Sequence, residues 1–272
     1  MSEKISRAFY DIGHLDSLAE ADTALHRLDP RAKVMTTAFF IICVVSFDKY
    51  EIARLLPFFL YPTLLIGLGN LPPGFLVRKL LMVSPFVIFL GIFNPLLDQT
   101  VLLHLGSLNV TGGWLSFISL LLRFTLTVGG ALILIASTGF PAFCMALEKL
   151  GAPRILAVQL LLLYRYLFIL IGEAIRMIRA HSLRSFNRKG RISFRIFLQM
   201  LGNLLLRTLD RAQRIHRAML SRAFTGEIRI VRQFSFGYRE VIFLIGFSGL
   251  FTVLRFTDVA DLLGNFLLEV SR

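Results

Sequence analysis

Two cysteines, Cys43 and Cys144, are all that the 272 residues contain. That excludes a disulfide-stapled secreted fold and any cysteine-rich zinc module. Charge is scarce as well: 17% of residues are Asp, Glu, Lys or Arg, against about 25% in an ordinary soluble domain. No phosphate-binding glycine loop, no GxSxG elbow and no HExxH pair occurs, so the chain is not expected to hydrolyse ATP or to be an enzyme. His14, His26, His104, His181 and His216 share no close ligand spacing and none sits beside a cysteine, so no metal site and no cofactor are expected. A membrane-embedded enzyme would need clustered His, Asp or Glu on the spans, and these are missing. No basic start followed by a short apolar run and a small-residue cleavage site opens the chain, so we expect a retained, cytoplasmic N-terminus.

What is present is apolar side chain. Hydrophobic residues make up 56% of the sequence, more than a core of this size can enclose and far too many for a disordered chain. The composition points to an all-α, polytopic integral membrane protein. Five apolar runs fit about five membrane-spanning helices: 34–47, 55–71, 80–97, 114–137 and 241–254. The first is short against the roughly 20 residues a span needs. Pro57, Pro62 and Pro85 interrupt the next two, and Arg123 lies in the fourth. Neighbouring helices can compensate for a proline within a span.

The basic residues are concentrated. Between Ile171 and Ser235 there are fourteen Lys or Arg and three acids, Glu173, Asp210 and Glu227, a net of eleven out of +13 for the whole chain. Basic segments beside spans stay in the cytoplasm. Positive-inside counting therefore puts the N-terminus, Arg78 with Lys79, and this segment inside, and 98–113, which has no Lys or Arg, outside. We expect a cytoplasmic N-terminal segment over 1–33, membrane helices over 34–140, a cytoplasmic-side coupling-helix region over 141–235, and a C-terminal membrane helix and tail over 236–272. The run 156–171 has basic flanks on both sides and Arg165 near its centre. It is expected to lie in the cytoplasmic leaflet or to be buried among other helices, with Arg165 facing a partner or the headgroups.

Within 201–220, Leu201, Leu205, Leu209, Ala212, Ile215 and Met219 recur every three or four positions, while Arg207, Arg211, Arg214 and Arg217 fall on other faces. That is a helix with one greasy and one cationic side. Ile171, Ile175 and Ile178 repeat the pattern, with Arg176 and Arg179 displaced from them, and Gly190 marks a break between the two helices. Each helix ends in an arginine flanked by short triplet neighbours: Leu183-Arg184-Ser185 and Ser221-Arg222-Ala223. Small neighbours let a helix end sit close in a groove, where the guanidinium forks onto carboxylates or carbonyls. Two such sites suit a dimeric partner with two similar grooves. A purely headgroup-facing surface is the blander reading of the same arginines. Nucleic acid is not expected as a partner, because no recognition motif accompanies the charge. Elsewhere, Asp29-Pro30 reads as a helix start, and Gly129-Gly130-Ala131 as a place for close helix packing.

Four stretches carry a resemblance: 25–33 (LHRLDPRAK), 137–154 (STGFPAFCMALEKLGAPR), 164–179 (YRYLFILIGEAIRMIR) and 217–226 (RAMLSRAFTG). In this order they resemble the T component of energy-coupling factor (ECF) transporters, cobalt-type CbiQ family, over nearly the whole chain. The resemblance implies a non-catalytic membrane scaffold of an ATP-driven cobalt importer serving cobalamin biosynthesis, in the bacterial cell (inner) membrane. Its implied partners are two ABC-type ATPases (CbiO-like), a substrate-binding membrane subunit (CbiM-like, with a CbiN-like companion) and membrane lipid. Family coupling helices end in an Ala-Arg-Gly-like triplet that docks on an ATPase. By position those roles fall here to Arg184 and Ser185, and to Ser221, Arg222 and Ala223. The triplets depart from the pattern, Leu183 most of all. A nickel-type T component is the near alternative. A stand-alone secondary ion transporter is the alternative of another class; it would need mid-membrane polar groups and an internal repeat.

Overall fold

In the computed structural model the described residues are 18–19, 21–97, 101–105, 108–184, 193–224, 226 and 236–257. Ser185, Gly190, His14 and the rest of the stretch before residue 18 lie outside them. The chain divides into two compact units. The described part of the larger runs from residue 18 to 139 and returns at 236–257; that of the smaller covers 140–184, 193–224 and 226.

In the larger unit, a single turn α1 (Ala24–Arg27) leads to α2 (Pro30–Val45). Asp29 caps α2 by accepting from the Arg31 amide at 2.9 Å, with Pro30 at the first helical position, as the Asp-Pro pair predicts. Helix α3 (Ile52–Gly69) tightens to a 3-10 turn at Leu56–Phe59, where Pro57 removes a backbone donor. Helix α4 (Pro73–Gly91) continues past Pro85 and is followed by α5 (Phe93–Leu97). A short antiparallel hairpin, β1 (Val101–Leu105) with β2 (Leu108–Thr111), is a local exception to the otherwise helical described chain, and no sequence expectation covered it. Helix α6 (Gly112–Thr138) is the central post, against which α2, α3 and α4 pack. Helix α10 (Tyr238–Phe256) closes the unit against α2.

The core of this unit is aromatic. Phe40 of α2 lies 4.5 Å from Tyr61 of α3 and 5.3 Å from Phe251 of α10, centroid to centroid. Thr37 and the Tyr61 hydroxyl share a buried hydrogen bond of 2.8 Å. Gly130 admits α2 closely, since a Cβ there would stand 3.3 Å from Phe40. Tighter still is Gly91, where a Cβ would meet the Phe117 ring at 2.7 Å. Arginines brace the 46–51 loop: Arg123 of α6 donates to the Asp48 carbonyl, Arg255 of α10 to the Ser46 carbonyl at 3.0 Å, and Arg54 pairs with Glu51 at 2.6 Å. The charge inside the fourth apolar run thus has a structural use.

The smaller unit holds α7 (Phe140–Lys149), α8 (Arg154–Arg184) and α9 (Phe194–Leu220). Helix α8 packs on both others. The run 156–171 is the first half of one 31-residue helix. Only Ala157 of α8 is buried, so the described helices of this unit do not enclose the run.

Among the described residues, four helices are long and apolar enough to cross a membrane: 52–69, 73–95, 112–138 and 154–184. The set differs from the five expected runs. Helix α2 has 16 residues, about 24 Å against a hydrocarbon core of about 30 Å. Helix α10 carries Arg239, Glu240 and Arg255 in its end turns. Helix α8 qualifies because its apolar half continues without a break into a polar one.

Candidate coupling surface

The described site residues Arg184, Ser221, Arg222 and Ala223 belong to the smaller unit; Ser185 lies outside the described residues. Arg184 is the last residue of α8 and is exposed, beside an 83%-exposed Leu183. Ser221 and Arg222 follow α9 directly and are exposed as well.

The end of α9 has a defined geometry. The Phe224 amide donates to the Met219 carbonyl at 3.0 Å, and the Ala223 amide to the Leu220 carbonyl at 3.0 Å. That pair of bonds is a Schellman closure, which needs a left-handed residue at its penultimate position. Ala223 fills it, with φ +54°. Ser221 turns its hydroxyl back onto the Ala218 carbonyl at 3.0 Å. Arg222 therefore projects from a hydrogen-bonded turn, and the conformation explains why a glycine-like residue suits the third place of the triplet.

One feature of this unit was not anticipated. Glu173 of α8 accepts from Arg176, one turn on, at 2.6 Å and from Arg207 of α9 at 2.5 Å. A single carboxylate thus bridges the two helices. The available signal was a lone Glu three residues before an Arg, in a segment of fourteen basic residues and three acids. By helix rise, Glu173 stands about 16 Å before Arg184, and Arg207 about 20 Å before Leu220. The tie holds the helices upstream of both arginine tips.

The predicted greasy side of α9 exists, and its first half is not packed. Leu201, Leu205 and Leu209 are 52%, 59% and 52% exposed, and no residue of α9 is buried. The half-buried positions are Ile196, Met200, Leu204, Thr208, Arg211, Ile215 and Met219. Leu201, Leu205 and Leu209 form an open apolar stripe on a cationic helix. Ile171, Ile175 and Ile178 of α8 are half-buried, with Arg176 and Arg179 exposed, as their spacing predicts. Arg165 is exposed among exposed Leu163, Leu167 and Ile169.

Specific contacts join the quoted stretches within each unit. Lys33, at the end of the first, is buried and donates to the Ser137 carbonyl at 2.9 Å, which puts a cation at the C-terminal end of α6. Gly139, at φ +77°, then stops α6. In the smaller unit, Phe140 stacks on Tyr164 at 4.5 Å, and Arg154 lies 3.5 Å from Glu148. Among the described residues, no group of three or more His, Cys, Asp or Glu is placed to hold a metal.

The four apolar helices among the described residues define a multi-pass membrane protein, and α9 adds an open, amphipathic face to it. The family model described as cobalt transport protein, CbiQ, matches residues 21–232, more than three quarters of the chain, and the chain belongs to that family. It is 28% identical over 242 residues to an uncharacterized protein of Methanocaldococcus jannaschii, covering 85% of this chain and 81% of that one. It is 28% identical over 218 residues to the energy-coupling factor transporter transmembrane protein EcfT of Ruminiclostridium cellulolyticum, covering 75% and 81%. Over 108 residues it is 29% identical to the cobalt transport protein CbiQ of Salmonella typhimurium, covering 40% and 48%. The resemblance seen in the four stretches is thus met by the family match, which spans all of them.

Proposed function

We propose that this chain is the transmembrane coupling subunit of an ECF-type cobalt importer. It links two CbiO-like ABC ATPases to a CbiM-like substrate-binding membrane subunit with its CbiN-like companion. Family membership supports the transporter assignment, and the relative named EcfT supports the ECF class. The observation that carries the reading is the α8–α9 pair: two helices tied by Glu173, each ending in an exposed arginine, with an open apolar stripe on α9.

In this reading, Arg184 and Arg222 dock in like grooves of the two ATPases, where guanidinium forks make charge-assisted bonds. Ser185, Ser221 and Ala223 let the helix ends approach closely. ATP binding closes the ATPase pair and shifts the tips. The Glu173 tie keeps α8 and α9 moving as one lever. Leu201, Leu205 and Leu209 pass that motion to the substrate-binding subunit, which reorients in the membrane. Hydrolysis takes place in the ATPases, and this chain supplies position and transmission. The net eleven positive charges of 171–235 favour a cytoplasmic location for the lever.

The test is purification of a tagged copy from its native cell in mild detergent. The expected result is co-purification of an ABC ATPase and a second membrane subunit. A chain that comes down alone, yet moves cobalt into liposomes without ATP, would overturn the reading in favour of a secondary transporter.

A further inference from the structure

The larger unit contains a cleft of about 1050 Å³ between α1, α3 and α10 that the coupling reading does not use. One end is polar. Arg27 grips Asp22 through two bonds of 2.7 Å, and beside them stands Arg239, whose guanidinium lies over the Tyr238 ring at 5.8 Å. Among the described residues no carboxylate is within ion-pair distance of Arg239. The remainder is apolar, lined by Leu64 and Leu68 of α3 and by Ile242, Phe243, Phe247 and Leu250 of α10. Phe247 packs on Tyr61 at 5.2 Å, which backs the apolar end with aromatic core.

The dimensions choose the occupant. From Arg239 to Leu250 is eleven residues, about 16 Å of helix. That is about half of a 30 Å hydrocarbon core, or one leaflet. A crossing helix from a partner would track the whole core. An acyl chain is slender enough. At Gly246, on the cleft wall, an added Cβ would meet nothing within 4 Å, so a thin chain can lie against the α10 backbone.

We infer that this cleft binds one glycerophospholipid, its phosphodiester on Arg239 at the polar end and one acyl chain laid between α3 and α10. The polar end sets Arg27 and Arg239 against Asp22 and Glu240; Arg27 is held by Asp22 and Glu240 accepts from the Gly237 amide, which leaves the Arg239 guanidinium to match a phosphate in shape and charge. The site rests only on the chain being in a membrane, not on its coupling role. Half of it belongs to α10, which lies beyond the matched residues 21–232.

Native mass spectrometry of the full chain in detergent tests the inference, with lysophosphatidylglycerol and glycerol 3-phosphate as probes. One lysophosphatidylglycerol adduct is expected on the wild-type chain, and none with glycerol 3-phosphate. Gly246→Leu, which fills the cleft, should lower adduct occupancy at least tenfold, and Arg239→Gln several-fold. Gly249→Leu, which adds the same bulk to α10 outside the cleft lining, should keep the adduct. Circular dichroism shows whether each variant is folded. No adduct on the wild-type chain, full occupancy in folded Gly246→Leu, or equal binding of glycerol 3-phosphate overturns the inference.

Discussion

Glu173 of α8 and Arg207 of α9, thirty-four residues apart in sequence, meet at 2.5 Å. With Arg176 on the other carboxylate oxygen, this contact ties the two helices whose tips carry Arg184 and Arg222. In the proposed lever, this contact is what keeps the two helices moving together.

Glu173→Gln removes the charge while keeping most of the side chain. The arginines are largely exposed, 65% and 63%, so the stability cost should stay within about 1 kcal/mol. Coupling should suffer more than folding. ATP-driven cobalt uptake in proteoliposomes of the full complex is expected to fall several-fold, with the ATPase still bound and the melting temperature little changed.

Ala223 holds a left-handed conformation at φ +54°, which costs an L-residue with a Cβ roughly 1–2 kcal/mol. Ala223→Gly should therefore stabilise the α9 end by about 1 kcal/mol. Ala223→Val should destabilise it and loosen ATPase retention. Thermal unfolding and co-purification of the two variants would check the pair.

Gly91 stands where a Cβ would be 2.7 Å from the Phe117 ring. Gly91→Ala is expected to cost about 1–3 kcal/mol, the usual penalty for overpacking. Phe117→Leu in the same chain should recover part of that loss. A melting series of the two single variants and the double variant measures it.

Cys144 in α7 is fully buried, and burial pushes its thiol up to about 11. At pH 8 about one thiol in a thousand is then thiolate, so maleimide labelling should run about a hundredfold slower than at an exposed cysteine. Because the shift is upward, the rate should climb about tenfold per pH unit to near pH 11 and then level off. A Cys43→Ser background isolates the site. Rapid labelling of the folded protein at pH 8 would contradict the burial.

Much of this was legible in the residues. Asp29-Pro30 set the start of α2, and the Leu201 periodicity set α9 as a two-sided helix. The paired arginine triplets were seen as helix ends, and Arg184 and Arg222 stand there. What could not be read was partnership. Periodicity showed that α9 has a greasy side, but not that only its later members Ile215 and Met219 would be half-buried, with Leu204 and Thr208, while Leu201, Leu205 and Leu209 stay open. The pairing of Glu173 with Arg207 depends on how two helices approach, and Gly91 on which ring lies opposite. The division of α8 into a leaflet helix and a coupling helix followed its change from apolar to amphipathic at Ile171. A change of surroundings does not end a helix without a breaker, and the chain continues to Arg184. Among the described residues four helices have the length and apolarity of a span, and the shortness of α2 and the end charges of α10 set those two expected runs apart from them.

In the proposed complex Arg184 and Arg222 hold the ATPases. The most direct measurement is quantitative co-purification of the ABC ATPase with the wild-type chain and with the Arg184→Glu, Arg222→Glu double variant. The helical fold is checked by circular dichroism and the membrane subunit's retention by immunoblot. The double variant is expected to keep its fold and the membrane subunit but to lose the ATPase by at least tenfold, with each single variant in between. Retention of the ATPase at the wild-type level by the folded double variant would contradict it.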